Sequence, residues 1–231
     1  MKILAVITAR GGSKRLPRKN IRILNGRHLI SWSIDIAKDI YEIIDILVST
    51  DDPEIAEIAR SAGALVPWLR PAELSSDNAT SALACIHALD WYEANAGLVD
   101  GLLLLQPTSP LRSRTTVLRG IQLFQDNGQR PIVGLSPTKS HPFQCFRLDE
   151  GRMRPFFSGN GLNLRSQDLP AAYEVNGSFY LIAPEDLRRM ESFYSDVMVP
   201  LVIEAPEESL DIDTEWDWKM AEAALDFKKG D

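Results

Sequence analysis

The sequence predicts an α/β fold built on a mostly parallel central sheet. Over the first 136 residues, short apolar runs alternate with stretches that carry apolar residues at helical spacing. That alternation calls for parallel strands joined by right-handed crossover helices. Several runs, such as Ile3–Thr8 and Gly101–Leu105, are apolar without interruption, as strands covered on both faces are. The chain has 231 residues and 45% apolar content, enough for one sizeable core. A single domain over 1–231 is expected, with 138–172 as an inserted arm.

The elements follow in order. Ile3–Thr8 is a first strand, and Arg22–Gly26 a short turn. His28–Ile40 places Leu29, Trp32, Ile36 and Ile40 on one helical face. Ile43–Ser49 is a second strand. Asp52 then caps a helix that has Pro53 at its first position and Gly63 just beyond its end. Ala64–Val66 reads as a third short strand, and Asp77–Ser81 leads into a helix that runs to about Ala94. Gly101–Leu105 is a central strand, Thr115–Asn127 a helix and Pro131–Ser136 a strand. The polar loops that start at Ala9, Ser49 and Gln106 share the C-terminal edge of the sheet, where such folds bind ligands.

From Pro137 to Pro170 the rhythm breaks. Phe143–Leu148 and Arg152–Phe157 read as a hairpin turning at Asp149-Glu150-Gly151. So many aromatic residues on a ribbon imply a covering surface, either the hairpin's own domain or, more simply, a second subunit. Regular structure resumes at Tyr173, with strands at Phe179–Ile182 and Val197–Glu204 and a helix at Pro184–Met190. Thr214 and Asp217 form a capping box for a last helix that reaches Lys228.

Charge is unevenly spread. The formal net charge is −7. Residues 1–34 hold eight Lys/Arg and no acid, so the other 17 cations face all 32 acids, a balance of −15. An acidic body with one basic corner argues against general nucleic-acid binding and suits a pocket for a small anion, with a solvated face, RNA or a membrane as the lesser alternatives for the basic loop. That corner is Ala9–Asn20, with Arg10, Lys14, Arg15, Arg18, Lys19 and Arg22 around Gly11-Gly12. A glycine turn after a first strand lets backbone N–H groups converge on an anion, and the cations favour a polyphosphate. The spacing matches neither the P-loop nor the dinucleotide fingerprint. Asp211 and Asp213 flank Ile212, so both carboxylates point to one side of an extended segment. Such a pair suits Mg²⁺, which keeps several waters and completes its shell with phosphate oxygens.

Cys85 and Cys145 fit no metal or redox spacing and read as core thiols of a reducing compartment. The chain enters a strand directly, without a signal-peptide pattern, and no apolar run approaches about 18 residues. A cytoplasmic protein without membrane or nucleic-acid partners is expected. His28, His87 and His141 show no ligand spacing.

Five segments together resemble the acylneuraminate cytidylyltransferases, the CMP-sialic acid synthetases. They are Ala9–Asn20, Leu69–Leu74, Leu104–Arg112, Asn176–Tyr180 and Ser209–Thr214, in family order along nearly the whole chain. The resemblance implies a three-layer, Rossmann-like nucleotidyltransferase fold, working as a homodimer through a β-hairpin arm at 138–172. It implies transfer of CMP from CTP to the anomeric hydroxyl of a nine-carbon α-keto acid sugar, a nonulosonic acid, with release of pyrophosphate. Carried over, Arg10, Gly11, Gly12, Ser13 and Lys19 hold the triphosphate and Asn20 places the nucleotide. Arg70, Ala79 and Ser81 line the cytosine site. Gln106, Arg165 and Tyr180 face the sugar, and Asp211 and Asp213 bind Mg²⁺. Arg10, Lys19 and Asp211 carry the catalysis, with proton removal at Asp211 or at a water held by the metal.

The departures fall on the sugar side. Glu174-Val175 stands where sialic acid members tend to have Arg before Asn-Gly. Ser166-Gln167 replaces Arg-Gln, with Arg165 one residue early, and Gln144 stands where a lysine is expected. N-acetylneuraminate is the first acceptor to consider, legionaminate the alternative, and pseudaminate is less favoured. A metal glycosyltransferase with D-x-D is set aside because its motif lies mid-chain. A non-catalytic CTP-binding regulator would bind CTP without releasing pyrophosphate.

Overall fold

The computed structural model describes residues 1–76 and 78–229. Its main sheet draws on β1 (Ile3–Thr8), β4 (Ile43–Ser49), β5 (Gly101–Leu104), β6 (Ile132–Pro137), β9 (Tyr173–Ile182) and β10 (Val199–Val202). Two small ribbons lie apart, β2 (Ile23–Leu24) with β3 (Arg27–His28), and β7 (Phe146–Asp149) with β8 (Arg152–Pro155). The main sheet runs β10-β6-β9-β5-β1-β4. Only β9 is reversed, antiparallel to both β5 and β6, while the other pairings are parallel.

Alternating side chains of β1 build two cores. Ile3, Ala5 and Ile7 meet α1 (Leu29–Ala37), α2 (Pro53–Ser61) and α4 (Arg114–Asp126) through Ile34, Ala56 and Phe124. Leu4 and Val6 face α3 (Ser81–Ala96) and α5 (Pro184–Met190) through Cys85, Leu89 and Leu187. This is a three-layer α/β/α arrangement, as expected. The capping expected of α2 is present: Asp52 accepts from the N–H groups of Glu54 and Ile55, with Pro53 at the first turn. No helix among the described residues is long and apolar enough to cross a membrane. Cys85 is buried and Cys145 half-buried, and both are free thiols.

Three expectations change. The strand at Ala64–Val66 shrinks to one bridge between Leu47 and Leu65, since Pro67 has no N–H to extend the pairing. α1 stops at Ala37 because Asp39 turns left-handed at φ 56°. β9 begins at Tyr173, six residues before the predicted strand, since its polar first half hides the apolar alternation. Between Val175 and Tyr180 it bulges away from β6, through Gly177 at φ 74°. Asp77, assigned to the lead-in of α3, lies outside the described residues; Thr80, in the same lead-in, supplies the cap.

The last helix, α6 (Glu215–Lys229), packs Trp218 with Leu16, Leu24 and Ile212 in a third cluster. It thereby fixes both the basic loop and the Asp211–Asp213 segment. Its capping box is reciprocal: Asp217 Oδ2 accepts from Thr214 N–H at 2.7 Å, and Thr214 Oγ1 accepts from Asp217 N–H at 3.3 Å. Asp213 N–H adds a third bond to Asp217 at 3.0 Å. Partial burial acts to raise the Asp217 pKa, but the bonds from Thr214 and Asp213 outweigh it, and the net shift is below the ordinary 3.8. For a carboxylate held low, the stabilisation is complete above its unfolded pKa and fades as pH falls through the folded one. Asp217→Ala is therefore expected to cost about 1–2 kcal/mol at pH 7. Urea denaturation checks this, and the gap from wild type should narrow below pH ~3.8.

Candidate active site

At the C-terminal ends of β1 and β5 lies a cleft of about 480 Å³. Five cations line it, Arg10, Lys14, Arg15, Lys19 and Arg70, against two acids, Asp211 and Asp213. Ser13, Asn20, Ala79, Ser81 and Gln106 complete most of the set expected from the sequence. Such a wall suits a polyphosphate.

Each wall has a local cause. Arg18 sits left-handed at φ 56° and turns the chain into a short 3₁₀ segment, Lys19–Ile21. Asn20 Nδ2 donates to the Arg10 carbonyl at 3.0 Å and closes the basic loop on itself. Arg22 makes two bonds of 2.6 Å to Glu215 and lies 4.3 Å from the Trp218 ring, tying the loop's end to α6. Lys19, only 9% exposed, donates to the Ile212 carbonyl at 2.7 Å and to Asp213 Oδ1 at 2.8 Å. Arg15 reaches Asp213 Oδ2 at 3.1 Å. The basic loop and the acidic pair thus meet directly.

Gly11 does not line the cleft. Its N–H donates to Asp51 Oδ1 at 3.0 Å, and a Cβ there would fall 2.6 Å from Asp52 Oδ2. Only glycine admits this approach, which seats the loop on the end of β4. Gly11 therefore seats the loop, while a Cβ at Gly12 would meet open space. The Asp51 oxygen also stands 3.9 Å from Arg70 Nη2. Arg70 is nearly buried; its backbone N–H donates to the Thr50 carbonyl and its Nε to Ser75 Oγ. Desolvation pulls its pKa down and Asp51 opposes that. Asp51 carried no signal in the sequence that set it apart from a helix-capping Asp-Asp-Pro.

Asp211 opens onto the cleft, yet the surrounding walls strip away part of its hydration. That crowding, with the charge of Asp213, raises its pKa above 3.8, while a bond from Thr108 and the charge of Lys19 hold it back. Two carboxylates kept close, one of them poorly hydrated, fit a hard divalent cation that would relieve both effects. Among the described residues no group of three or more His, Cys, Asp or Glu gathers around a common point. A cation here would need oxygens from a ligand.

A second pocket of about 410 Å³ adjoins the first and shares Gln106 and Asp211 with it. Tyr180 lines it, with Glu174, Gly177 and, unforeseen, Tyr194 and Ser209. The Tyr180 and Tyr194 hydroxyls stand 3.4 Å apart. Burial, then the bond to Tyr194, pushes the Tyr180 phenol well up, so it remains a neutral donor. Neither Lys nor Arg is among the described lining residues. Arg165 is not brought here: it lies on the arm, bonded to Asp168 at 3.0 Å.

A family model described as Cytidylyltransferase matches residues 4–139. The CMP-N,N'-diacetyllegionaminic acid synthase of Legionella pneumophila is 36% identical over 230 residues, covering 99% of this chain and 98% of that protein. The pseudaminic acid cytidylyltransferase of Campylobacter jejuni is 36% identical over 181 residues, covering 78% of each. In fold, the chain is similar to a solved CMP:2-keto-3-deoxy-manno-octonic acid synthetase complexed with CTP. Its TM-score is 0.72 at 15% identity, covering 99% of this chain and 100% of that one. The matched segment contains the basic loop, Arg70 and Gln106, and the full-length similarity extends to the Asp211–Asp213 segment; the chain belongs to the cytidylyltransferase family.

Proposed function

We propose that this protein transfers CMP from CTP to the anomeric hydroxyl of a nonulosonic acid, releasing pyrophosphate, with a legionaminate-type sugar as the leading acceptor. The observation that carries the reading is the joined pair of pockets. A cleft with five cations meets a neutral-to-acidic pocket, and Gln106 and Asp211 belong to both. A triphosphate in the first would bring its α-phosphorus to the boundary where an acceptor in the second can attack.

In that step the sugar oxygen bonds to the α-phosphorus, the bond to the β-phosphate bridging oxygen breaks, and pyrophosphate leaves. The protein's part is positioning and charge. Arg10, Ser13 and Lys19 hold the phosphates, Asn20 orders the loop, and Arg70, Ala79 and Ser81 flank the base. Asp211 accepts the hydroxyl proton. Asp211 and Asp213 would hold Mg²⁺, which when bound offsets phosphoryl charge.

The arm is read as the dimerisation element. Its own two-stranded sheet leaves Leu148 at 78% and Met153 at 64% exposure, with Phe156 and Phe157 beside them. The acceptor carboxylate needs a cation that the second pocket does not draw from its own described walls, and Arg165 of the partner arm is the candidate. A reducing, CTP-supplied cytoplasm is the setting that suits the free thiols.

The acceptor follows from two supports: the full-length similarity to a legionaminic acid synthase, and Glu174 in place of an arginine. Pyrophosphate release, measured with CTP, Mg²⁺ and each of legionaminate, N-acetylneuraminate and pseudaminate, tests it. The expected result is the highest kcat/KM with legionaminate. A preference for either of the others would overturn the acceptor, and silence with all three would overturn the reaction.

A further inference from the structure

We infer that Arg112 is a positioning residue that sets the wall between the two pockets by gripping the main chain of Gln106 and Ser178. This deepens the proposed function and rests on the placing of Gln106 against the acceptor.

Arg112 is 4% exposed. Its guanidinium makes three bonds to three different elements. Nη2 donates to the Gln106 carbonyl at 2.7 Å, after β5. Nε donates to the Ser178 carbonyl at 2.8 Å, in the bulge of β9. Nη1 donates to Ser33 Oγ on α1 at 2.9 Å, and that hydroxyl donates in turn to the same Gln106 carbonyl at 3.2 Å. The planar fork of an arginine can hold three acceptors at fixed angles, which a lysine ammonium cannot reproduce. Burial pushes its pKa down to about 9, opposed by Glu208, so it remains cationic at neutral pH.

What it grips lines the sugar side. The Gln106 side chain lies against Gly177, where a Cβ would stand 3.0 Å from Oε1. Gly177 sits between Asn176 and Ser178, and Asn176 Oδ1 accepts from Ser178 N–H at 3.1 Å and from its hydroxyl at 2.8 Å. Arg112 thus fixes Gln106 and the bulge relative to one another. A buried cation is an expensive means of stabilising a fold, and apolar residues would fill the same space at no net loss. Its three-way grip explains why a guanidinium stands there.

Steady-state kinetics of Arg112→Lys, Gln106→Ala and the double variant test the inference. Arg112→Lys is expected to raise the acceptor KM about tenfold and leave the CTP KM within about twofold. In the Gln106→Ala background it should change the acceptor KM less than about twofold, because Arg112 acts on the acceptor by placing the Gln106 side chain. Ser33→Ala, which removes one of the three bonds, should show a smaller rise of the same kind and serves if Arg112→Lys does not fold. Equal rises in both KM values, or additive effects in the double variant, would overturn the inference. A wild-type enzyme that turns over none of the acceptors would instead overturn the reaction on which it rests.

Discussion

Lys19→Met is expected to lower kcat/KM for CTP by about 10²–10³-fold, the scale on which removal of one charge-stabilising donor acts. The reason lies in where the ammonium is held. It is fixed by the Ile212 carbonyl and Asp213 Oδ1, and it lines the cleft beside Arg10 and Ser13. The charge is therefore oriented before any substrate arrives, and in the proposed reaction little reorganisation would remain as negative charge builds on the leaving pyrophosphate. Methionine preserves the apolar stem. The ion pair it removes is half open at Asp213, which bounds its stability effect to about 1 kcal/mol. Kinetics alongside thermal melting separate the two effects. Retention of activity within about threefold would remove Lys19 from the reaction.

Asp211→Asn is expected to lower turnover to below about one part in 10³, with the fold intact. Asparagine matches the shape of aspartate but supplies neither a proton acceptor nor a full charge for a divalent cation. The raised pKa of Asp211 means that the folded protein disfavours its charged form. A group shifted in this direction costs the native state above its folded pKa, so the neutral amide should melt at the wild-type temperature or slightly above it. Loss of activity without loss of stability is the signature of a carboxylate kept for chemistry. Chelation of Mg²⁺ should silence the wild type reversibly. Near-normal turnover by Asp211→Asn would contradict the role given to this side chain.

The basic loop, the capping box at Thr214 and Asp217, and the strand-helix rhythm up to Ser136 are legible in the sequence because each rests on local chemistry. Glycine pairs, cations and capping residues announce themselves within a few positions. The joining of Lys19 to Asp213 is not local, since the third hydrophobic cluster makes it by folding Leu16 against Trp218. The reversed strand β9 is half legible: its apolar end stands out, while Glu174 to Ser178 reads as polar loop without its pairing to Leu135 and Ser136. Tyr194 and Asp51 are not legible for the same reason, since nothing in their neighbourhoods differs from ordinary turn sequence. Arg165 illustrates the reverse case, a residue assigned by motif that its own chain does not carry to the pockets.

The central claim is attack at the α-phosphorus of CTP by a sugar hydroxyl, and phosphorus NMR of one reaction mixture tests it directly. With CTP, Mg²⁺ and legionaminate, the account predicts one new phosphodiester resonance, from CMP joined to the sugar, rising together with pyrophosphate in equal amount. Appearance of CDP and inorganic phosphate, or of free CMP with no sugar diester, would contradict it.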